Sequence, residues 1–367
     1  MMLLISFMEH FRWNMKDFKK FILTLILTFI MTLPILVYCS NLFIPKWIDH
    51  TNGNMMTYII KGFYKEKKNS LEVIFTGNSD VFRGVSPMVL YEKYGITSYN
   101  FVSSGERSWM AYGMFKEIFR LQKPQIIMFN VDELFADNQP SDGNYSKAFD
   151  NMKFSKVKIE TVFDKTYDKE KIKKIGHILP ILSYHNRYTE LNKDDFKYSI
   201  YDWTNPTKGM EITAASKEFV DNDNYMKKSD EKELIPETNL RYLNKIVELC
   251  KSKKIKLILF ELPSPDSWNY KKHNTFKEYA QKKDLEFLDL NLYNRQIGMD
   301  WKKDTSDGGD HLNIYGAEKV STFIAEYLNE NHDLPDRRNE KKYSKWKKQL
   351  LEYKEIKKYE IDLINQK

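Results

Sequence analysis

The chain opens on a charge-free apolar run from Phe21 to Pro45, bracketed by Lys20 and Lys46. About 20 apolar residues in a helix are enough to cross a bilayer core. The run therefore predicts a transmembrane helix over residues 21–45, with Pro34 a kink of the kind membranes tolerate. A secretory signal peptide would carry a shorter apolar region and a small-residue cleavage site, and Tyr38 before Cys39 also spoils a lipoprotein-type site. Arg12, Lys16, Lys19 and Lys20 precede the run, and only Lys46 follows it closely. The positive-inside tendency then puts residues 1–20 in the cytoplasm and everything after about residue 46 outside. Residues 46–70 read as a polar, partly helical spacer.

Beyond the spacer, short apolar segments alternate with helical patterns. Leu71–Thr76, Ile96–Val102, Gln125–Val131, Ile255–Phe260 and Leu285–Leu290 read as strands. Helices are expected over Met88–Tyr94 (ended by Gly95), Met110–Leu121, Asn239–Lys251, Lys277–Lys283 and Gly316–Leu328. Strands alternating with helices mean an α/β domain with a five-stranded parallel sheet, covered on both faces, over residues 71–334. Ligands of such a sheet bind beyond the carboxyl ends of its strands. Residues 134–238 interrupt the alternation with charged, aromatic-rich sequence, read as a long helical insertion draped over that carboxyl edge. Residues 335–367 form a charged helix without a full apolar face. It either packs a few aromatics or docks on anionic lipid or polymer.

Composition narrows the class. Hydrophobic residues make up 42% and charged residues 30% of 367 positions, which excludes a disordered chain and a polytopic membrane protein. Cys39 and Cys250 are the only cysteines, too few for a disulfide scaffold or a cysteine-based zinc cluster. The net charge of +7 is mild for the length, and no nucleic-acid-reading motif is present.

Two segments could carry chemistry. Gly77-Asn78-Ser79-Asp80 follows the first strand directly, where a serine on a strand-to-helix turn can expose its hydroxyl. Asp307-Gly-Gly-Asp310-His311-Leu312-Asn313 follows the last strand, at the same edge of the sheet. A histidine with a carboxylate a few residues upstream supplies a serine with both a base and an orienting acid. Either Asp307, reaching back across two glycines, or the adjacent Asp310 could be that acid. His185 and Arg187 could hold an anionic or hydroxyl-rich substrate, and Trp268 could line a sugar or polymer cleft. No metal ligands stand at helical spacing around His185.

Together these segments resemble the SGNH/GDSL hydrolase superfamily, whose serine lies just after strand one and whose Asp and His share a loop near the C-terminus. The resemblance is closer to a membrane-anchored branch, which includes the D-alanyl transfer protein of teichoic-acid systems and polysaccharide O-acetylation proteins. It is carried by Gly77-Asn-Ser79, Gly84-Val-Ser-Pro87, Tyr99-Asn100 to Gly105, Val131-Asp-Glu-Leu-Phe135 and Asp307-Gly-Gly-Asp-His-Leu-Asn-Ile-Tyr-Gly-Ala-Glu-Lys319. It spans about residues 71–135 and 240–345. The fold it implies is a flavodoxin-like SGNH domain. The roles it implies are Ser79 as nucleophile, His311 as general base, and the backbone N–H groups of Ser79 and Gly105 in an oxyanion hole. The third donor would be Asn130, unless Asp132 stands at that position. The function it implies is acyl transfer (acetyl or D-alanyl) to a cell-surface polymer through an acyl-Ser79, alongside a multi-pass membrane O-acyltransferase and without a cofactor. An envelope esterase of the same fold, or a catalytically silent assembly protein, are the alternatives.

Overall fold

The computed structural model describes residues 15–46, 55–137, 139, 141–220 and 224–366. Arg12, most of the expected cytoplasmic segment and residues 47–54 of the expected spacer lie outside the described residues. The chain divides into two compact units, one of residues 1–46 with 171–201, the other of residues 47–170 with 202–367.

In the first unit, the apolar run forms one helix over Met15–Phe43, starting six residues before the expected boundary and ending two before it. Its best 18-residue window has a mean hydropathy of 2.4, and the helix is long and apolar enough to cross a membrane. Lys46 folds back so that its Nζ donates to the carbonyls of Leu42 and Ile44, satisfying acceptors that a helix end leaves free. The short helices Lys171–Ile178, Ile181–Tyr184 and Lys193–Ser199 belong with this helix. The last of them is started by a reciprocal capping box between Asn192 and Asp195.

The second unit is built on a five-stranded, wholly parallel sheet in the order β2-β1-β3-β4-β5. The strands are β1 (Val73–Thr76), β2 (Ser98–Asn100), β3 (Ile126–Asn130), β4 (Lys256–Glu261) and β5 (Glu286–Asp289). All residues of β1, β2 and β3 are buried, and β1 and β3 accordingly read as near-continuous apolar runs and not as alternations, whereas β2 is Ser98-Tyr99-Asn100. Register carries Ile74 opposite Tyr99 and Ile127, and Met128 opposite Ile258. Helices Ser108–Leu121 and Glu237–Lys253 pack together, as do Pro87–Tyr94 and Ile314–Asn331. The α/β class and the five expected strands are present; β1, β2, β3 and β5 are shorter than their expected runs by two to four residues, and β4 has the expected length, shifted by one residue.

The expected insertion is not one body. Helices Asp142–Phe149 and Lys156–Val162 and the non-helical stretch around residues 202–220 stay with the sheet, whereas 171–201 groups with the N-terminal helix. The C-terminal helix, Ser344–Asn365, buries Trp346, Gln349 and Tyr353. Tyr353 Oη accepts from Ser86 Oγ at 3.0 Å and donates to Glu318 at 2.9 Å, tying the tail to the Gly84–Pro87 turn.

Candidate active site

Gly77 leaves β1 at φ +139°, a conformation that L side chains rarely adopt, and a Cβ there would come within 2.7 Å of the Cβ of Asn130 at the end of β3. This is the point between β1 and β3 where the strand order reverses, and where a doubly wound sheet opens a crevice. Asn78 then caps a short helix, Ser79–Gly84, its side chain accepting from the Asp80 N–H at 3.0 Å. Ser79 is therefore the first residue of a helix whose cap is supplied by its neighbour. Its hydroxyl is free for other work, and its N–H has no intrahelical acceptor.

The histidine loop is closed by different devices. Gly308 and Gly309 lie at φ +95° and +121°, and between them they fold the loop back on itself. Ser306 N–H bonds to the His311 carbonyl at 2.9 Å, and Asn313 caps the helix that follows. Asp307 consequently meets His311 twice. Its Oδ1 accepts from the His311 backbone N–H at 2.8 Å, and its Oδ2 lies 2.6 Å from Nδ1. On the other side of the ring, Nε2 lies 2.8 Å from Ser79 Oγ. The two motifs, 232 positions apart, thus form one hydrogen-bonded line.

Asp310 also approaches Nδ1, at 3.1 Å, but its side chain is 45% exposed and makes no second bond to the loop backbone. Asp307, Asp310 and His311 together could hold a metal ion by proximity alone. The ring nitrogens already face Ser79 and Asp307, so the same atoms are accounted for by the serine–histidine line.

Charge around this line is heavily managed. Burial pulls the His311 pKa down, but the hydrogen bond with Asp307 and the field of Asp80 outweigh it, leaving the imidazole above its usual 6.5. Burial likewise pushes Asp307 up, but the hydrogen bonds from the His311 ring and backbone win and hold it below the usual carboxylate value. Arg83 adds to this from the short helix, with guanidinium nitrogens 3.7 Å from Asp307 and 3.4 Å from Glu211. Asp80 sits 3.8 Å from His311 Nε2 and is buried; its pKa is raised to about 7, by burial first and by Asp132 and Asp310 after the opposing field of His311. Burial, first, with the field of Glu133 at Glu106 and of Asp132 at Glu261, raises the carboxyls of Glu106 and Glu261 well above the usual range. Asp132 and Glu133 are paired with Lys272 and Arg107.

A carboxyl moved from 3.8 to about 7 makes a testable demand on stability. Below pH 3.8 both folded and unfolded forms hold the proton and nothing is lost. Between 3.8 and 7 only the folded form holds it, so stability falls as pH rises, and the full cost, on the order of 4 kcal/mol, stands above pH 7. Asp80→Asn should therefore raise the unfolding midpoint at pH 8 and lose most of that gain by pH 4, as followed by tryptophan fluorescence. An equal gain at both pH values would rule out an ionisation cost at Asp80.

The remaining sequence candidates fall in different places. Asn130 Nδ2 donates to Glu261 at 3.1 Å, and the Asn130 side chain lies against Gly77 of the serine turn. Asp132 is held by Lys272 Nζ at 2.8 Å. Gly105 has φ +56°, and a Cβ on it would come within 2.7 Å of Asn144 Nδ2, which makes Asn144 the side-chain amide beside that loop. Trp268 does not line a cleft. It is 2% exposed, donates to Asp289 at 3.0 Å and stacks on Phe276. His185 and Arg187 belong to the other unit. There Arg187 donates to the Phe43 carbonyl and pairs with Asp195 at 3.3 Å, and exposed His185 faces the Leu182 carbonyl. Sequence reasoning passed over Asp80, Arg83, Glu211 and Asn144.

No protein-family model matches the chain, and no curated protein matches it. Among solved structures, it is similar to a protein from Desulfitobacterium hafniense described as lipolytic and of the G-D-S-L family. Identity there is 13% across 70% of this chain and 98% of that one, with a TM-score of 0.35. It is also similar to a protein from Bacteroides fragilis described as an acylhydrolase, at 15% identity across 74% and 94% of the two chains, with a TM-score of 0.32.

Proposed function

We propose that the chain is a serine-based acyl-transfer enzyme of the cell envelope, anchored by its N-terminal helix with the sheet domain outside the membrane. The observation that carries the reading is the line Ser79 Oγ, His311 Nε2, His311 Nδ1, Asp307 Oδ2, with spacings of 2.8 and 2.6 Å. In this reaction Ser79 Oγ attacks the carbonyl carbon of an acyl donor while His311 Nε2 takes its proton. The same proton goes to the leaving group as the carbonyl re-forms, and an acyl-Ser79 remains. An acceptor hydroxyl then loses its proton to His311 and attacks the acyl carbon, and Ser79 recovers its proton as it leaves.

The N–H groups of Ser79 and Gly105, with the Asn144 amide, are the candidate donors to the developing oxyanion. Asp132 and Glu133 each face a cation, Lys272 and Arg107, which offsets their negative charge.

Transfer is favoured over hydrolysis by what surrounds the histidine loop. Positions for a Cβ on Gly308 and Gly309 fall against Lys217 and Phe219, and Glu211 reaches Arg83 from the same stretch. An acyl-serine destined for an alcohol must be shielded from water, and chain folded over the loop provides that shield. Of the aromatics in residues 134–238, Tyr184, Tyr188 and Tyr201 lie in the other unit, and Trp203 is buried 5.1 Å from Tyr58.

Acetyl or D-alanyl groups, delivered by a multi-pass membrane O-acyltransferase, fit this reading, with a cell-surface polymer as acceptor. Deleting the gene should lower the ester content of purified envelope polymer. A rise would establish the esterase and overturn the transferase.

A further inference from the structure

Residues 171–201 carry six Lys and Arg against three Asp and Glu, with aliphatic and tyrosine side chains set between them. They fold as short helices of the first unit, and not all of their apolar positions point inward. Along the helix Lys193–Ser199, Asp195 is buried, but Phe196 is 51% exposed and Ile200, four positions on, is 80% exposed. Tyr201 beside it is exposed too, its ring 5.2 Å from that of Tyr198. Leu182 and Tyr188, earlier in the segment, are likewise exposed. A lone exposed apolar side chain needs no explanation, but a group of them on one short segment does.

The explanation follows from the helix on which this segment is packed. Every residue from Lys19 to Tyr38 of the helix Met15–Phe43 is exposed, whereas Ser40, Leu42 and Ile44 at its end are buried. The helices Ile181–Tyr184 and Lys193–Ser199 pack against that helix, and Arg187 between them donates to the Phe43 carbonyl. The bare stretch from Phe21 to Tyr38 is about 27 Å long at 1.5 Å per residue, close to the roughly 30 Å of a bilayer's hydrocarbon core. The covered end therefore falls at the level of the headgroups, and the segment packed on it sits at that level as well.

We infer that residues 171–201 form an interfacial collar that lays Phe196, Ile200 and Tyr201 into the headgroup boundary of the lipid bilayer. The inference rests on the reading of Met15–Phe43 as a membrane-crossing anchor and is independent of the Ser79 chemistry. Lipid is the occupant because the collar begins where the bare, lipid-facing surface of that helix ends, so one apolar phase meets both. The side chains suit that depth. Tyrosine, with an apolar ring and a polar hydroxyl, settles at membrane interfaces. Lys193 and Lys197, on the same short helix as Phe196, can lay their stems along the apolar layer and keep their ammonium groups in water. A collar fixed at this level opposes sliding of the spanning helix along the membrane normal.

Depth-dependent fluorescence quenching of the full chain in phosphatidylcholine vesicles tests it. In a Cys39→Ser background, with buried Cys250 left in place, a thiol-reactive fluorophore is attached at Ile30→Cys, Phe196→Cys or Ile200→Cys in turn. Lipids spin-labelled near the headgroup should quench the labels at positions 196 and 200 about threefold or more over lipids spin-labelled near the chain end, and the order should reverse at position 30. Adding Phe196→Asp to the Ile200→Cys protein should abolish the quenching at 200 while covalent labelling of Ser79 by a fluorophosphonate stays unchanged. Quenching at 30 without quenching at 196 and 200 would overturn the collar and leave the anchor standing. No lipid quenching at any position would overturn the anchor, and the collar with it. Quenching at 200 that survives Phe196→Asp would show mere proximity to the bilayer and overturn the apolar contact. Labels that stay in water in vesicles but are shielded in native membranes would give this face to a partner protein and overturn lipid as its occupant.

Discussion

Ser79→Ala is expected to lower turnover of an aryl ester by roughly 10⁴-fold or more, with the thermal midpoint essentially unchanged. The size follows from the loss of the only atom that can carry the acyl group. The unchanged midpoint follows from the local structure, because the cap of the Ser79–Gly84 helix is Asn78, and alanine is a good first residue for a helix. Under the proposed transferase reading, the wild-type baseline against which the loss is read should itself be modest, since water would be a poor substitute for the acceptor hydroxyl. Fluorophosphonate labelling gives a second readout, with one modified residue in wild type and none in the variant. Turnover that survives the substitution, with labelling elsewhere, would move the protein to the catalytically silent reading.

The two aspartates of the histidine loop should separate sharply. Asp307→Asn is expected to cost about 10⁴ in turnover, because an amide oxygen in place of the carboxylate neither holds the ring tautomer as firmly nor stabilises the imidazolium. Asp310→Asn should cost less than about tenfold, since the Nδ1 hydrogen is already directed to Asp307 at 2.6 Å. The pH profile gives a signature that misfolding would not. His311 must be neutral to take a proton, so activity rises as pH climbs through its pKa, which lies above 6.5 in the intact site. With Asp307 uncharged, the largest raising influence is removed and burial dominates. The acid limb of kcat/KM should then move to lower pH even as the maximum rate falls. An unmoved limb in Asp307→Asn would remove Asp307 from the role of orienting acid.

The parts of this architecture that were legible in advance are those set by short-range pattern. The runs that became β1, β3 and β4 are apolar because both faces of a parallel sheet are covered, and Gly95 ended its helix at φ +70° as a left-handed cap must. The meeting of Ser79 with His311 followed from topology, since both loops leave the same edge of the sheet. What stayed hidden depends on approach across the chain. Asp80 is an ordinary first-turn acid in sequence, and only burial beside Asp132 and His311 makes it a group that titrates near neutrality. Arg83 and Glu211 are 128 positions apart, and nothing local pairs them. Trp268 looked like a cleft residue because an indole has an amphipathic face, but Asp289 at the end of β5 claims its N–H. Asn130 and Asp132 were alternatives for one role. Asn130 turns inward to Glu261 and Asp132 is taken by Lys272, and neither choice is encoded within the strand itself.

The grouping of residues 171–201 with the N-terminal helix bears on the order in which the protein is made. The helix Met15–Phe43 leaves the ribosome about 130 residues before this segment, an interval of roughly 6–26 s at ordinary elongation rates. By residue 201 the first unit has all of its parts, including the Arg187 that donates to the Phe43 carbonyl. At that moment the sheet has only β2, β1 and β3, because β4 does not begin until Lys256. Synthesis therefore completes the first unit while the sheet still exposes one unpaired edge of β3, and Glu261, the partner that Asn130 needs, is among the residues still to come.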